Sequence, residues 1–227
     1  MPGHHDHRHG RNILSRVRSF RKLSVNYTFD ILLFSVDLTL LTHDGSSDKQ
    51  RRAAEALASA IKKLVKQLLN CSKILVAAVN GKACGLGVTL LPYFDIVYAS
   101  DKAEFHLEYS KLGQIPEAFL SACQLRYNEM LYMGHSLTAR MAQESGLVTS
   151  VIWPSSFLEE IVPRLESLEF MNSDGLSRCK QYMKKSMKQQ VLRIMDDETQ
   201  ELAANWSQLD FAKRVKQFLK NSHVLLQ

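Results

Sequence analysis

The spacing of apolar residues changes along the chain, and each change marks a predicted element. Between residues 48 and 69 apolar side chains recur every three or four positions, which predicts an amphipathic helix with Ser47 as its N-cap. Residues 73–79 are apolar almost throughout, as is typical of a parallel strand covered on both faces. Residues 29–41 are apolar and β-branched, which predicts an earlier strand that runs into a loop. Buried strands and an amphipathic helix together favour an α/β fold.

Shorter elements are expected after these. Brief apolar runs predict strands at residues 94–99 and 103–106. Pro116 is expected to open a helix that extends to Met133, because proline is favoured in the first helical turn. A short helix over residues 137–144 begins at a threonine cap and ends at a glycine, and an extended stretch follows it.

The last third of the chain has the pattern of amphipathic helices, predicted at residues 157–168, 176–194 and 198–218. No internal repeat or long linker interrupts the chain. We therefore expect three regions, which are a leader over residues 1–28, a core over residues 29–155 and a C-terminal helical region over residues 156–227.

The leader combines a His-rich start with an Arg-rich stretch. Residues 11–29 contain no acidic residue and carry apolar side chains at helical spacing, which is the composition of a mitochondrial presequence. A basic, disordered N-terminus is the alternative interpretation. By composition we expect residues 1–10 to be a mobile tail, with a metal-chelating tract as the alternative.

Composition and charge exclude several classes of protein. The chain has 227 residues, of which 45% are hydrophobic and 23% charged, as expected of one folded globular domain. The net charge of +6 arises largely from the leader, so we expect no domain-wide basic face for nucleic acid. No apolar run is long enough to predict a membrane span. The cysteines are too widely spaced for a zinc site or a disulfide framework, and we predict no metal: Cys71, Cys84, Cys123 and Cys179.

A glycine-rich turn follows the buried strand at residues 73–79 and is the strongest candidate for chemistry. Gly81, Gly85 and Gly87 allow several backbone N–H groups to point at one spot, where they bind negative charge. The spacing lacks the Lys-Ser/Thr pair of a phosphate-binding loop. An oxyanion hole and a close-packed structural turn both remain open as interpretations.

Several blocks that include this turn occur in one order along the chain. This order resembles the enoyl-CoA hydratase/isomerase (crotonase) superfamily over residues 47–220, with blocks similar to the type 2 enoyl-CoA Δ-isomerases and to the crotonase-like domain of chromodomain Y-like corepressors. The ordered set is more specific than any single motif. The blocks are residues 79–87, 94–101, 105–106, 112–117, 128–131, 137–139, 146–148 and 151–154.

The resemblance implies a fold and a site. The fold is a ClpP/crotonase-type spiral of ββα units followed by a helical region, shortened here at its N-terminus. The backbone N–H of Leu86 is implied to be an oxyanion donor, and Glu117 to be the base that moves a proton between C2 and C4 of a 3-enoyl-CoA. The implied substrate-binding residues are Ala83, Gly85, Gly87 and Ser35.

The resemblance also implies a function with one alternative. The first hypothesis is an enoyl-CoA Δ-isomerase of fatty acid β-oxidation, with no cofactor other than the coenzyme A of its substrate and with a homotrimeric assembly. The alternative is a catalytically impaired module that binds acyl-CoA or a protein partner. The Arg-rich leader favours the mitochondrial matrix, the isomerase resemblance leaves the peroxisome open, and the corepressor resemblance leaves the nucleus open.

Some positions depart from the superfamily pattern. Thr89 and Tyr109 occupy the two acid/base positions of hydratases, which disfavours hydration because neither is a carboxylate. The segment 34–38 is shorter than the usual second oxyanion loop and lacks its glycine, and the chain after Glu117 is shortened. Two structural interpretations also remain. Glu117 could only complement a helix dipole, and the basic residues of 178–188 could form a solvated helix face instead of binding coenzyme A.

Overall fold

The computed structural model describes residues 27–30, 41, 47–118 and 124–224. In chain order the strands within these ranges are β1 (Tyr27–Asp30), β2 (Ile74–Val79), β3 (Lys82–Cys84), β4 (Ile96–Ser100), β5 (Glu104–His106), β6 (Leu137–Thr138) and β7 (Ser150–Ile152). They form a parallel four-stranded sheet in the order β1-β2-β4-β7 and a three-stranded sheet in the order β3-β5-β6. In the smaller sheet β3 and β5 are parallel, and β6 is antiparallel to β5.

The described helices, in chain order, are α1 (Ser47–Asn70), α2 (Leu86–Thr89), α3 (Tyr109–Leu112), α4 (Gln124–Met133), α5 (Ala139–Glu144), α6 (Phe157–Glu166), α7 (Ser173–Met183), α8 (Lys185–Trp206) and α9 (Leu209–Val224). Short 3₁₀ turns lie at Leu91–Tyr93, Pro154–Ser156 and Ser167–Phe170. No described helix is both long and apolar enough to cross a bilayer.

The core repeats one ββα unit. In each unit a strand enters the larger sheet, the next strand enters the smaller sheet, and a helix of one turn follows. The first unit is β2, β3 and α2, and the second is β4, β5 and α3. Because equivalent strands pair in parallel, as in Val76 with Ile96 and Lys82 with Glu104, each unit extends both sheets by one strand. The predicted spiral of ββα units is thereby confirmed.

Strand β2 is covered on both faces, as its apolar sequence predicts. Its odd-numbered side chains, Leu75 and Val79 among them, join the large core cluster beneath α1. Val76 and Ala78 point the other way, because successive side chains of a strand alternate between faces, and they pack with the apolar side of α6. The sheet therefore separates two apolar clusters, and the chain that follows β2 begins at a strand end that is packed on both faces.

The predicted helix beginning at Pro116 is wrong. Glu117 and Ala118 lie in a turn, and the next described helix begins only at Gln124. Ala118 has φ 52°, a left-handed conformation that a helix does not contain. The interpretation of Glu117 as a first-turn residue that complements a helix dipole fails for the same reason.

The C-terminal helical region is confirmed, but its internal boundaries differ from the prediction. The break expected between residues 194 and 198 is absent, since α8 is continuous through Lys185–Trp206. Helix α7 ends at Met183 instead, and the chain bends at Lys184.

Two lysines attach this helical region to the core. Lys180 Nζ lies 2.7 Å from Asp95 Oδ2 and Lys184 Nζ lies 2.9 Å from Asp95 Oδ1. Each ammonium group also donates to a backbone carbonyl, that of Lys73 for Lys180 and that of Tyr93 for Lys184. Burial lowers the pKa of Lys184, and the pairing with Asp95 opposes that shift. The interpretation of this stretch as a wholly solvated face is therefore wrong at these two positions.

Candidate functional site

The glycine turn forms where β3 passes into α2. Gly85 has φ 53° and ψ −120°, a conformation that side-chain-bearing residues avoid. Its N–H donates to the carbonyl of His106 at 3.0 Å, and its own carbonyl accepts from Val88 N–H at 2.8 Å. Within the part of the chain that the structure describes, the N–H groups of Leu86 and Gly87 donate to no protein acceptor. Two adjacent donors are thus available for an oxygen that carries negative charge.

A tyrosine lies directly beneath this turn. A Cβ atom built on Gly85 would stand 3.4 Å from the Tyr109 hydroxyl oxygen, in van der Waals contact with the phenol. Tyr109 begins α3 and is buried, and it neighbours the buried Thr89 of α2. Burial raises the pKa of Tyr109 well above its usual value, and the negative charge of Glu117 raises it further. Tyr109 therefore remains protonated and available as a donor.

Glu117 is the buried carboxylate of the site, with 2% of its surface exposed. Its Oε1 accepts a hydrogen bond from Gln114 Nε2 at 3.0 Å. The carboxyl group also interacts with the Tyr109 side chain, although neither Glu117 Oε2 nor the Tyr109 hydroxyl completes a hydrogen bond of good geometry with a described residue. Burial raises the pKa of Glu117, and interactions with Tyr109, with its own backbone and with Gln114 oppose that rise. A raised pKa makes a carboxyl group better able to take and hold a proton that it later returns.

The turn that carries Glu117 is held from outside. Ala118 N–H donates to Glu198 Oε1 of α8 at 2.7 Å, and the Tyr93 hydroxyl donates to the Ala118 carbonyl at 3.2 Å. These two bonds accompany the left-handed backbone of Ala118, which costs an L-residue about 1–3 kcal/mol unless its surroundings enforce it. The orientation of Glu117 therefore depends on contacts from distant parts of the chain.

A second set of contacts reaches Glu117 through its neighbour Gln114. Trp206 Nε1 donates to Gln114 Oε1 at 2.9 Å, and Gln50 Nε2 donates to the carbonyls of Trp206 and Gln208, each at 2.9 Å. Sequence reasoning missed this set. One signal was present, because Gln50 occupies a position on the buried face of α1 where the pattern expects an apolar residue.

The structure brings most of the predicted site residues together. Leu86, Gly85 and Gly87 form the turn, with buried Ala83 just before it, and Tyr109 links the turn to Glu117. Their roles toward a substrate remain predictions. Ser35 lies outside the described residues.

Other candidate features lie elsewhere. One surface cavity is lined by lysines of α1 and another by Arg140 and Trp153, and neither is lined by Glu117 or Leu86. The described residues contain no group of His, Cys, Asp and Glu side chains arranged for a metal ion. His106 pairs with Glu104 at 3.2 Å on β5, and Glu108 pairs with Lys111 at 2.6 Å.

The repeated ββα units, with free backbone donors beside a buried carboxylate, define a crotonase-like protein. A family model described as enoyl-CoA hydratase/isomerase matches residues 35–224. The chain belongs to the enoyl-CoA hydratase/isomerase family.

Individual relatives agree with this assignment. The chain is 38% identical over 176 residues to the rat protein enoyl-CoA delta isomerase 2, covering 75% of this chain and 44% of the relative. It is 32% identical over 166 residues to the mouse chromodomain Y-like protein, covering 70% of this chain and 28% of the relative. The chain thus spans less than half the length of these two relatives.

A solved structure supports the same fold. The enoyl-CoA hydratase/isomerase from Pseudoalteromonas atlantica T6c superposes with a TM-score of 0.66 at 28% identity, covering 70% of this chain and 66% of that chain. The fold prediction is confirmed, including its α/β class and its C-terminal helical region.

Proposed function

We propose that this protein is an enoyl-CoA Δ-isomerase that converts a 3-enoyl-CoA into the 2-trans-enoyl-CoA, as in fatty acid β-oxidation. The observation that carries the proposal is the burial of Glu117, the one buried carboxylate among the described residues, with Tyr109 lying between it and the glycine turn. The similarity to a delta isomerase supports it. The coenzyme A belongs to the substrate, and the chain's own residues supply the rest of the chemistry.

The proposed mechanism uses one base twice. Glu117 removes a proton from C2 of the thioester, and the electron pair moves onto the carbonyl oxygen to form an enolate. The N–H of Leu86 stabilises that oxygen, with Ala83, Gly85 and Gly87 shaping the surrounding turn. Glu117 then returns the proton to C4, while the double bond moves from C3–C4 to C2–C3. We propose that Ser35, in the second oxyanion loop, also contacts the substrate.

Hydration is disfavoured by the same geometry. Adding water across a double bond requires a group that activates the water and a group that protonates carbon. The positions that carry carboxylates in hydratases are Thr89 and Tyr109 here, and Tyr109 keeps its proton. The proposed reaction is therefore proton transfer alone.

A second candidate function is a non-catalytic crotonase-like module that binds acyl-CoA or a protein. The observation that favours it is the burial of Glu117, since neither of the two cavities described above reaches that residue. The similarity to the chromodomain Y-like protein supports it as well. For either function we propose a homotrimer, located in the mitochondrial matrix or peroxisome as an isomerase, or in the nucleus as a module.

Turnover separates the two candidates. Purified protein is expected to convert a 3-enoyl-CoA to the conjugated 2-enoyl-CoA, followed by ultraviolet absorbance. Glu117→Gln, which preserves size but removes the base, is expected to lower the rate by about a thousandfold. The matched control is Glu144→Gln at an exposed position on α5, which should leave the rate unchanged.

Two outcomes would reject the isomerase. Full activity in Glu117→Gln would exclude this residue as the base. Binding of coenzyme A esters without any turnover by the unmodified protein would support the non-catalytic module instead.

A further inference from the structure

We infer that Gln114 and Trp206 are positioning residues for Glu117, through which the C-terminal helices decide which carboxylate oxygen remains free to carry a proton. The inference deepens the proposed function and rests on it, since Glu117 is the base only there. It assigns to the last helices of the chain a role at a site that lies in the core.

The geometry of three side chains carries the inference. Trp206 Nε1 lies 2.9 Å from Gln114 Oε1, and Gln114 Nε2 lies 3.0 Å from Glu117 Oε1. An indole N–H is only a donor, so the atom of Gln114 that meets it must be the amide oxygen. The amide NH₂ group therefore faces Glu117, where it favours the ionised carboxylate.

Trp206 is itself fixed in place. Its side chain is fully buried, and its carbonyl accepts from Gln50 Nε2 of α1 at 2.9 Å. The same Gln50 nitrogen holds the carbonyl of Gln208, where α8 ends and α9 is about to begin. Asn205 Nδ2 adds a bond to the carbonyl of Gly113, next to Gln114. The indole that orients Gln114 is thus held by hydrogen bonds at the junction of α8 and α9.

This arrangement distinguishes the two oxygens of Glu117. Oε1 is occupied by Gln114, whereas Oε2 is buried without a hydrogen bond to any described residue. The Glu117 carboxyl group also interacts with the Tyr109 side chain, whose hydroxyl lies under the glycine turn. The geometry therefore assigns the proton transfer to Oε2 and the anchoring of the carboxylate to Oε1.

The other ionisable groups around Glu117 are accounted for. Among the described residues they are Tyr109 from α3, Glu198 from α8 and Tyr93 from the 3₁₀ turn after α2. Glu198 accepts from the Ala118 N–H, and the Tyr93 hydroxyl donates to the Ala118 carbonyl. Changes at Gln114 and Trp206 consequently remove one donor and leave the surrounding charges in place.

The experiment measures the protonation of Glu117 directly. Carboxyl ¹³C signals of protein labelled at glutamate are followed against pH, and the Glu117 signal is assigned by its loss in Glu117→Gln. We expect Trp206→Phe and Gln114→Met each to move the titration midpoint of Glu117 to higher pH, because the ionised form loses a donor. The matched control is Trp153→Phe, which changes the chain's other tryptophan at a position that is 63% exposed.

Turnover gives a second reading of the same effect. Below the midpoint of the unmodified protein, both variants should convert a 3-enoyl-CoA about tenfold more slowly, since a hydrogen bond to a charged group is of that order. At higher pH the difference should shrink, because the base is then ionised in every variant. A loss of activity that is equal at all pH values would mean that the residues only support the fold.

Failure of this inference and failure of the proposed function are distinguishable. If the unmodified protein has no turnover, the isomerase is rejected, but the titration of Glu117 still tests whether Gln114 and Trp206 position it. An unchanged titration midpoint of Glu117 in Gln114→Met overturns the positioning role. A midpoint shift in Trp153→Phe as large as that in Trp206→Phe overturns it as well. If Trp206→Phe does not fold, Gln114→Met alone decides the outcome.

Discussion

The two turns of the candidate site are built in different ways. The glycine turn around Gly85 is held by its own neighbourhood, through bonds to His106 on the adjacent strand and to Val88 in the following helix. The turn around Glu117 is held by Glu198 and, through Gln114, by Trp206, which are 80 or more positions away in the chain. The first turn is a local structure and the second is a product of tertiary packing.

This difference separates two kinds of chemical group. Backbone donors need only a fixed path of the chain, which a parallel strand and a glycine provide over a few residues. A buried carboxylate needs its desolvation offset by donors at set distances, and the donor here, Gln114 Nε2, is oriented by Trp206 of the C-terminal helices. The C-terminal region is consequently part of the site as well as of the fold.

Gly85→Ala tests the local turn and has the largest expected effect on activity after Glu117→Gln. The new Cβ enters a backbone conformation that alanine avoids, and it meets the Tyr109 hydroxyl at 3.4 Å. Displacing the Leu86 donor should lower isomerase turnover by about a hundredfold, which is typical for the loss of one oxyanion donor. The measurement is the rate with a 3-enoyl-CoA, taken below the melting temperature of the variant.

A second glycine provides the control for backbone strain. Gly146 also has a positive φ, 77°, but a Cβ there would meet no atom within 4 Å. Gly146→Ala should therefore lose about 1–3 kcal/mol of stability from strain alone and keep its turnover. Equal losses of turnover in both variants would show that Gly85 has no specific role at the site.

Gln50→Leu tests the distant support of the second turn and has an intermediate effect. It leaves the carbonyls of Trp206 and Gln208 without their donor in a buried setting, which should cost about 2 kcal/mol of unfolding free energy. Denaturation by urea, followed by circular dichroism, measures this loss. Gln67→Leu, on the exposed side of the same helix, should stay within about 0.5 kcal/mol of the unmodified protein.

An equal stability for Gln50→Leu and Gln67→Leu would contradict this account. The helix junction would then be held by apolar packing alone, and the bonds of Gln50 would be incidental to it. The comparison of the two turns would lose its main structural basis, because Trp206 would no longer be anchored through polar contacts from α1.

The same division explains what the sequence could and could not predict. Helix α1 and strand β2 were predicted to within a residue at each end, because their periodicity is written in consecutive positions. The glycine turn was found for the same reason. Strand β3 was missed, since three residues between glycines carry too little pattern to distinguish a strand from a loop.

Long-range contacts account for the errors. Nothing near Ala118 in the sequence indicates that its N–H will meet Glu198. The local sequence therefore predicts a helix from Pro116, which the tertiary contact replaces with a turn. Lys180 likewise has the pattern of a solvated residue until the fold brings Asp95 to it. Sequence reasoning identified Glu117 by its type and place in a motif, whereas its orientation, its burial and its partner Gln114 required the tertiary structure.

The last prediction concerns the free energy cost of burying Glu117 and has the smallest effect. Burial raises its folded-state pKa above the ordinary value of 4.5, so the folded protein binds this proton more tightly than the unfolded chain does. The associated stability is fully present below pH 4.5 and is lost as pH rises through the raised folded pKa. Glutamine carries no charge, so Glu117→Gln should match the unmodified protein in acid and become the more stable of the two above that pKa. Urea denaturation of both proteins across this pH range measures the difference.

Glu144→Gln provides the control, because this exposed side chain gives up no buried charge and its stability difference should stay flat with pH. A flat difference for Glu117→Gln as well would mean that the donors around Glu117 offset its desolvation completely. The Glu117 carboxyl group would then bind its proton no more tightly than an ordinary glutamate does. The site would be less suited to a base that must both take and return a proton. A stability difference between Glu117→Gln and the unmodified protein that grows with pH would instead show that the charge of Glu117 lowers the stability of the fold. The glycine turn has no such cost, because it is built from neutral backbone groups.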